Sequence, residues 1–298
     1  MATKSASFRL PSIDVLGRFA VQKVPRAVIF AGVVLGLLAV IAVGADLLRP
    51  LDTRTLDLAA VLSPPSLAHP MGTDELGRDV MARVFHGLRV SFAISITAAA
   101  VSLGIGATYG LVSAAFGSRV DSALMRFLDF FASQNHLVFG IFLVVLFRPA
   151  LGPISAVLLS VGVTHWTTMA RIVRGELMSL RERPFVLAAV NGGAGYRRLF
   201  RRHFLPHLLP AIGLGFVLLL PHAIFHESAL SFLGLGLPPH QASLGNILAS
   251  GRQSLFIGGW WTTVFPGLLI FLFTLSVGTL GEYWRDRQNP RWRSELEL

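Results

Sequence analysis

The feature that most constrains this chain is a series of six apolar runs, each close to the length that crosses a bilayer. They cover residues 27–48, 90–116, 127–147, 154–170, 207–230 and 261–280. A spanning α-helix needs about 20 predominantly apolar residues. Inside lipid only a helix or a closed barrel satisfies its own backbone hydrogen bonds. The sequence therefore predicts an all-α integral membrane protein with six transmembrane helices.

Composition supports this class and narrows the partners. Of the 298 residues, 53% are hydrophobic and 14% are charged, whereas soluble domains carry about 25% charged residues. The net charge of +10 is not a sign of nucleic acid binding. The arginines border the apolar runs, where basic residues set topology and meet anionic lipid headgroups. We expect membrane lipid as a partner and no nucleic acid.

The distribution of positive charge predicts the orientation. With the N-terminus inside, 19 of the 26 lysines and arginines fall in inner segments, as the positive-inside rule requires. Both termini are then cytoplasmic. This orientation divides the chain into five parts: a cytoplasmic N-terminal segment (1–26), a first transmembrane helix (27–48), an outer loop (49–89), a core domain (90–281) and a cytoplasmic tail (282–298).

The inner segment 171–206 is the longest polar interruption of the core. Residues 171–210 contain eight arginines and only two acidic residues. Residues 185–190 are apolar, 191–195 read Asn-Gly-Gly-Ala-Gly, and a basic stretch follows. This pattern predicts two short helices around a glycine turn. A short apolar helix in the cytosol needs a cover, which is either its own bundle or a groove in another protein.

This segment resembles the cytoplasmic coupling loop of ABC importer permeases. The family pattern is Glu-Ala-Ala, three residues, Gly, and later His/Asn-x-x-Pro. Ala188, Ala189 and Gly193 match it, and His203-Phe204-Leu205-Pro206 fits its end. Leu187 stands where the pattern has glutamate.

Further motifs resemble the second permease of dipeptide, oligopeptide and nickel importers. The stretch 69–80 reads HPMGTDELGRDV, 231–236 reads SFLGLG, and Phe265-Pro266-Gly267 opens the sixth apolar run. Gly281-Glu282 and Arg285-Asp286 close that run. The resemblance covers residues 69–290, in the family's order.

The resemblance implies a type I ABC importer permease fold in a prokaryotic plasma membrane. The chain would pair with a second, homologous permease subunit, two ATP-binding subunits or domains, and an extracytoplasmic substrate-binding protein. ATP and Mg²⁺ would bind the partner subunits, so this chain would be no enzyme. It contains no GxxxxGK[ST] phosphate loop, which agrees with that division. The residues expected to contact the ATPases are Arg183, Phe185, Val186, Leu187, Ala188, Ala189, Gly193, Ala194 and Gly195.

A second set of candidates lies inside the apolar runs, where ionisable and polar groups are costly and often functional. His222 and His226 lie four residues apart on one helix face, and Glu227 adjoins them. Gln134, Asn135 and His136 interrupt the third run. These six residues either line the pathway or serve subunit packing. No HExxH motif is present, and no metal site is assigned.

The cargo and three other functional classes stay open at this stage. The family resemblance allows peptides or nickel and other metal chelates as cargo. An ATP-independent transporter or channel is the main alternative, although no inverted repeat is visible. An intramembrane enzyme lacks a third metal ligand beside the two histidines. A simple membrane anchor leaves the long basic loop unexplained.

Overall fold

The computed structural model describes residues 24–50, 57–238 and 241–288. Residues 1–23 and 289–298, which hold most of the expected cytoplasmic termini, lie outside this range. The described chain contains helices, turns and one isolated β-bridge, but no β-strand. The helices are α1 (Arg26–Leu48), α2 (Val80–Ala115), α3 (Gly117–Ala132), α4 (His136–Leu151), α5 (Pro153–Thr164), α6 (Trp166–Arg181), α7 (Pro184–Asn191), α8 (Tyr196–Leu199), α9 (Leu205–Phe232), α10 (Leu244–Phe256) and α11 (Trp261–Gln288).

Five helical stretches are long and apolar enough to cross a membrane. They are Arg26–Leu48, Val80–Ala115, Pro153–Arg181, Tyr196–Phe232 and Trp261–Gln288. The bent pair α3 and α4 passes the same test as a unit and makes a sixth candidate. The prediction of an all-α chain with six apolar spans is confirmed, with the third span broken.

The break in the third span is the main difference from the sequence prediction. Residues 127–147 were expected to form one helix, but α3 and α4 meet at an angle of 87°. The Asn135 side chain accepts hydrogen bonds from the backbone N–H groups of Leu137 and Val138. Such an acceptor is a standard helix N-cap. The polar residues in the apolar run therefore start a new helix.

Two ion pairs join helix α3 to helix α6. Arg174 binds Asp121, with 2.5 Å between Nε and Oδ1, and Arg171 binds Asp129 at 2.7 Å. Arg171 and Arg174 belong to helix α6, which continues to Arg181. The segment 171–206 thus begins as a helical extension of the bundle.

Helix α2 begins at Val80, ten residues before the apolar run that predicted it. The Asp79 side chain caps it by accepting a hydrogen bond from the backbone N–H of Ala82 at 2.8 Å. Asp79 also binds Arg49 and His69. Hydropathy locates only the lipid-facing part of a helix, whereas the cap determines where the helix starts.

Two glycines let α2 approach α6 closely. A Cβ atom at Gly106 would lie 2.5 Å from the carbonyl oxygen of Trp166, and one at Gly110 would lie 2.5 Å from that of Ala170. Small residues allow such backbone contact between membrane helices. Gly104, on the same helix, has no neighbouring atom within 4 Å of its Cβ position. Only Gly106 and Gly110 are therefore required by this contact.

The motif GTDELGRD forms a compact turn beside α2. Asp74 accepts hydrogen bonds from the backbone N–H groups of Leu76 and Arg78 and binds the Arg78 side chain. The Trp261 indole donates to the carbonyl of Thr73 at 2.9 Å. These bonds attach the turn to the start of α11.

The glycine contact predicts a matched pair of stability effects. Gly110→Ala forces α2 away from α6 and should cost about 1–3 kcal/mol, the usual range for overpacking. Gly104→Ala meets open space and should leave stability unchanged or slightly raised. Thermal unfolding of both purified variants measures the difference. Equal melting temperatures would contradict the assigned close contact.

Candidate functional site

The basic segment folds into a short helix with one buried and one exposed face. Val186 of α7 is 1% exposed and packs in a cluster with Leu177 and Leu180 of α6. Phe185, Leu187 and Val190 are 40%, 50% and 52% exposed. The sequence left two partners open for this helix, its own bundle or another protein, and the two faces of α7 differ in this respect. One face folds back on the bundle, and the other presents apolar side chains to the outside.

Local contacts hold α7 in place. The Phe185 ring stacks on His207, with 5.2 Å between ring centroids. Gly193 follows the helix with φ +77°, a conformation that glycine adopts without steric cost. The backbone N–H of Ala194 donates to the carbonyl of Ala189 at 3.0 Å. The glycine cluster therefore forms the helix end and turns the chain toward α8.

The other predicted loop residues divide in the same way. Arg183, Ala188, Gly193 and Gly195 are exposed, and Ala189 and Ala194 are half-buried. Helix α8 follows, and a π-helical segment, Phe200–Phe204, joins it to α9. This stretch carries exposed arginines around a cavity lined by Gly193, Gly195, Tyr196, Arg197, Arg198 and Arg201. The exposed apolar face of α7 thus lies next to a basic surface.

Four imidazole rings meet within the bundle. The His226 ring lies 4.8 Å from His136 and 4.6 Å from His165, measured between centroids. His165 also lies 6.0 Å from His222. The structure therefore brings together the three histidines that the sequence named as pathway candidates. It adds His165, which lies between α5 and α6.

Sequence reasoning missed His165 as a member of this cluster. It follows α5 directly and precedes Trp166, and nothing in its spacing relates it to α9. His165 lies inside the apolar run 154–170, and an ionisable residue inside a membrane span usually has a function. That position is the signal that could have identified it. Only the packing of α5 against α9 brings it to His226.

Two of these rings have a fixed partner for one nitrogen. His222 Nδ1 lies 3.1 Å from the carbonyl oxygen of Leu218, and His165 Nδ1 lies 3.2 Å from that of Val161. A carbonyl only accepts, so Nδ1 of His222 carries a proton, and Nε2 of the neutral His222 ring holds a free lone pair. His165 Nδ1 also lies 2.9 Å from the Thr164 hydroxyl oxygen, which can donate or accept. Among the described residues, no group of three or more His, Asp or Glu side chains is placed to hold a metal ion.

Glu227 does not join the histidines. Its carboxylate is fully buried and accepts hydrogen bonds from Ser91 at 3.0 Å and Ser231 at 2.9 Å. Consecutive helical residues point about 100° apart, because a turn takes 3.6 residues. Glu227 therefore faces α2, whereas His226 faces His136 and His165.

The polar residues at the bend have local partners. Asn135 caps α4, and the Gln134 side chain donates to the carbonyl of Phe130 at 3.3 Å. Both are exposed, as is His136. Of the three candidates at the bend, His136 alone contacts the histidine cluster.

Comparison with known proteins agrees with this architecture. A family model described as "Binding-protein-dependent transport system inner membrane component" matches residues 102–294. The dipeptide transport system permease protein DppC of Bacillus subtilis (strain 168) is 36% identical, over 96% of this chain and 89% of its own length. The oligopeptide transport system permease protein OppC of the same organism is 33% identical, over 88% of this chain and 84% of its own length.

A solved structure shares the fold. An inward-facing form of the MetNI methionine ABC transporter aligns with a TM-score of 0.54 and 17% identity, and the match covers 69% of this chain and 97% of that chain. The chain therefore belongs to the family of binding-protein-dependent transport system inner membrane components, and its fold is that of an ABC importer permease.

Proposed function

We propose that this chain forms half of the translocation pathway of an ATP-driven importer whose cargo is peptides. The observation that carries the proposal is the exposed apolar face of α7, anchored on the bundle by Val186. The peptide cargo is inferred from the relatives, which are named as dipeptide and oligopeptide permeases. An importer subunit also accounts for the long basic segment, which an ATP-independent channel or a simple anchor leaves without a role.

The exposed face of α7 is suited to receive an ATPase. An amphipathic helix binds a partner by laying its apolar face into a groove. Phe185, Leu187 and Val190 supply that face. Nucleotide-driven movement of the groove would then act on α6 through Val186 and on α9 through Phe185 and His207. Arg183, Ala188 and Gly195 would border the same contact.

ATP and Mg²⁺ belong to the partner subunits in this proposal. Two ATP-binding subunits or domains would dock on α7 of this chain and on its counterpart in a second, homologous permease. ATP binding would close the cytoplasmic side of the pathway, and hydrolysis would reset it. This chain would transmit the movement and perform no chemistry.

The remaining partners follow from the expected orientation. With both termini inside, α7 faces the cytosol, and α10 lies on the outer side, where an extracytoplasmic binding protein would deliver cargo. The membrane would be a prokaryotic plasma membrane, with lipid contacting the exposed apolar surfaces of α1 and α11.

A second candidate cargo is nickel or another metal chelate, and the histidine cluster favours it. Imidazole nitrogens are common ligands of transition metals, and His222 presents a free Nε2 when its ring is neutral. In either case we propose that His136, His222 and His226 line the pathway. Glu227, Gln134 and Asn135 are assigned to packing and capping instead.

The coupling proposal predicts a local effect of charge on α7. Val190→Asp places a carboxylate in the apolar contact and should reduce ATPase capture and ATP hydrolysis by the purified importer at least tenfold. Val61→Asp is the matched control, because Val61 is 40% exposed on the outer segment. It should leave both readouts unchanged. Normal coupled hydrolysis in the Val190 variant would refute this role of α7.

The two cargo candidates are separated by uptake into proteoliposomes. The importer, reconstituted with its ATPases and binding protein, should accumulate radiolabelled dialanine only with ATP and should not accumulate ⁶³Ni²⁺ or its chelates. ATP-dependent uptake of nickel without uptake of dialanine would show that the cargo is metal and not peptide. Uptake that does not depend on ATP would contradict the proposal of an ATP-driven importer.

A further inference from the structure

A cavity that is lined by charged, polar and apolar residues lies at the end of the bundle opposite α7. Its volume is about 500 Å³, within the range of about 300–1,000 Å³ typical of small-ligand sites. The GTDELGRD turn forms one wall, and α10, the end of α4 and the segment after α9 form the others. The function proposed above gives this motif no role.

The polar groups around the cavity are nearly all paired with one another. Asp74 binds both Arg78 and Arg83. The uncharged side chains donate hydrogen bonds to other groups of the chain. Ser231 donates to Glu227, and Asn246 donates to the carbonyls of Leu237, Pro238 and Gln241. Ser250 donates to the carbonyls of Asn246 and Ile247, and Thr262 donates to the carbonyl of Gly259. These groups need no ligand.

Two charged groups stand apart from this network. Within the part of the chain that the structure describes, Arg148 has no carboxylate within 4 Å. Glu75 accepts a hydrogen bond from Ser254 at 2.6 Å. Among the same described residues it has no basic side chain within 4 Å, although Arg83 attracts it from a longer distance. Both are half-buried and line the cavity.

We propose that this cavity binds the two charged termini of a short peptide, with its carboxylate at Arg148 and its ammonium group at Glu75. A cation and an anion that both lack an ion-pair partner within 4 Å, and that line a single cavity, complement a zwitterion. A guanidinium binds a carboxylate through two parallel hydrogen bonds. The proposal rests on peptide cargo and names the part of the peptide that is recognised.

The test measures binding to the purified permease–ATPase complex without its binding protein. The probes are dialanine, its C-terminal amide and its N-acetyl derivative, titrated by calorimetry. Wild type should bind dialanine about tenfold or more tightly than either blocked form, because each block removes one charge-assisted hydrogen bond. Equal affinity for all three, or no measurable binding of dialanine, overturns the proposal.

Variants test which residue binds each end of the peptide. Arg148→Gln should lower the affinity for dialanine about tenfold and leave that for the amide unchanged, while Arg148→Lys should retain most of the preference. Glu75→Gln should remove the discrimination against the N-acetyl form only. Arg252→Gln is the control, because Arg252 lies over the Phe232 ring, 5.5 Å from its centroid, and does not line the cavity. An Arg148 variant that still discriminates against the amide overturns the assignment.

Uptake of dialanine by wild-type proteoliposomes separates the two proposals. If uptake depends on ATP but Arg148→Gln binds like Arg252→Gln, the cavity assignment fails and the peptide importer stands. If wild type transports no peptide, the proposed function itself fails.

Discussion

The close contact between α2 and α6 is the interaction on which the rest of the bundle depends. In lipid, helices gain little from the hydrophobic effect, so association rests on close packing and hydrogen bonds. Gly106 and Gly110 allow backbone contact with α6, and Ser102 of the same helix α2 donates to the carbonyl of Gly162 in the preceding helix, α5, at 2.6 Å. Helix α6 is thereby held at a fixed depth. Because α7 follows α6 after two residues, the position of the exposed apolar face is also set by this contact.

The two ends of the bundle use charge in opposite ways. At the α7 end, arginines surround an apolar face and leave it accessible. At the opposite end, Asp74 of the GTDELGRD turn binds Arg78 and Arg83. The Trp261 indole attaches the turn to the bundle through the carbonyl of Thr73. Between them lie the four imidazoles of His136, His165, His222 and His226, away from both charged ends.

The spans could be predicted because apolar length is a property of the sequence alone. The runs at 27–48 and 261–280 correspond closely to α1 and to most of α11. The break at 133–135 was not predicted, because hydropathy averages over the capping interaction of Asn135. The start of α2 was placed too late for the same reason, since Asp79 and not apolar character begins that helix. Both differences arise where a side chain satisfies backbone groups that hydropathy does not register.

The sequence by itself determined the class of the protein, its number of apolar spans and its family, because these depend on composition, on run length and on short motifs. It also located the segment that became α7. Only the tertiary structure decided which side chains meet. It joined His165 to His136, His222 and His226 from three separate parts of the chain, and it turned Glu227 away from them toward Ser91. It also assembled the GTDELGRD turn, Arg148 and α10 around one cavity. These contacts depend on how helices are rotated and packed against one another, and spacing along one helix carries no information about its neighbours.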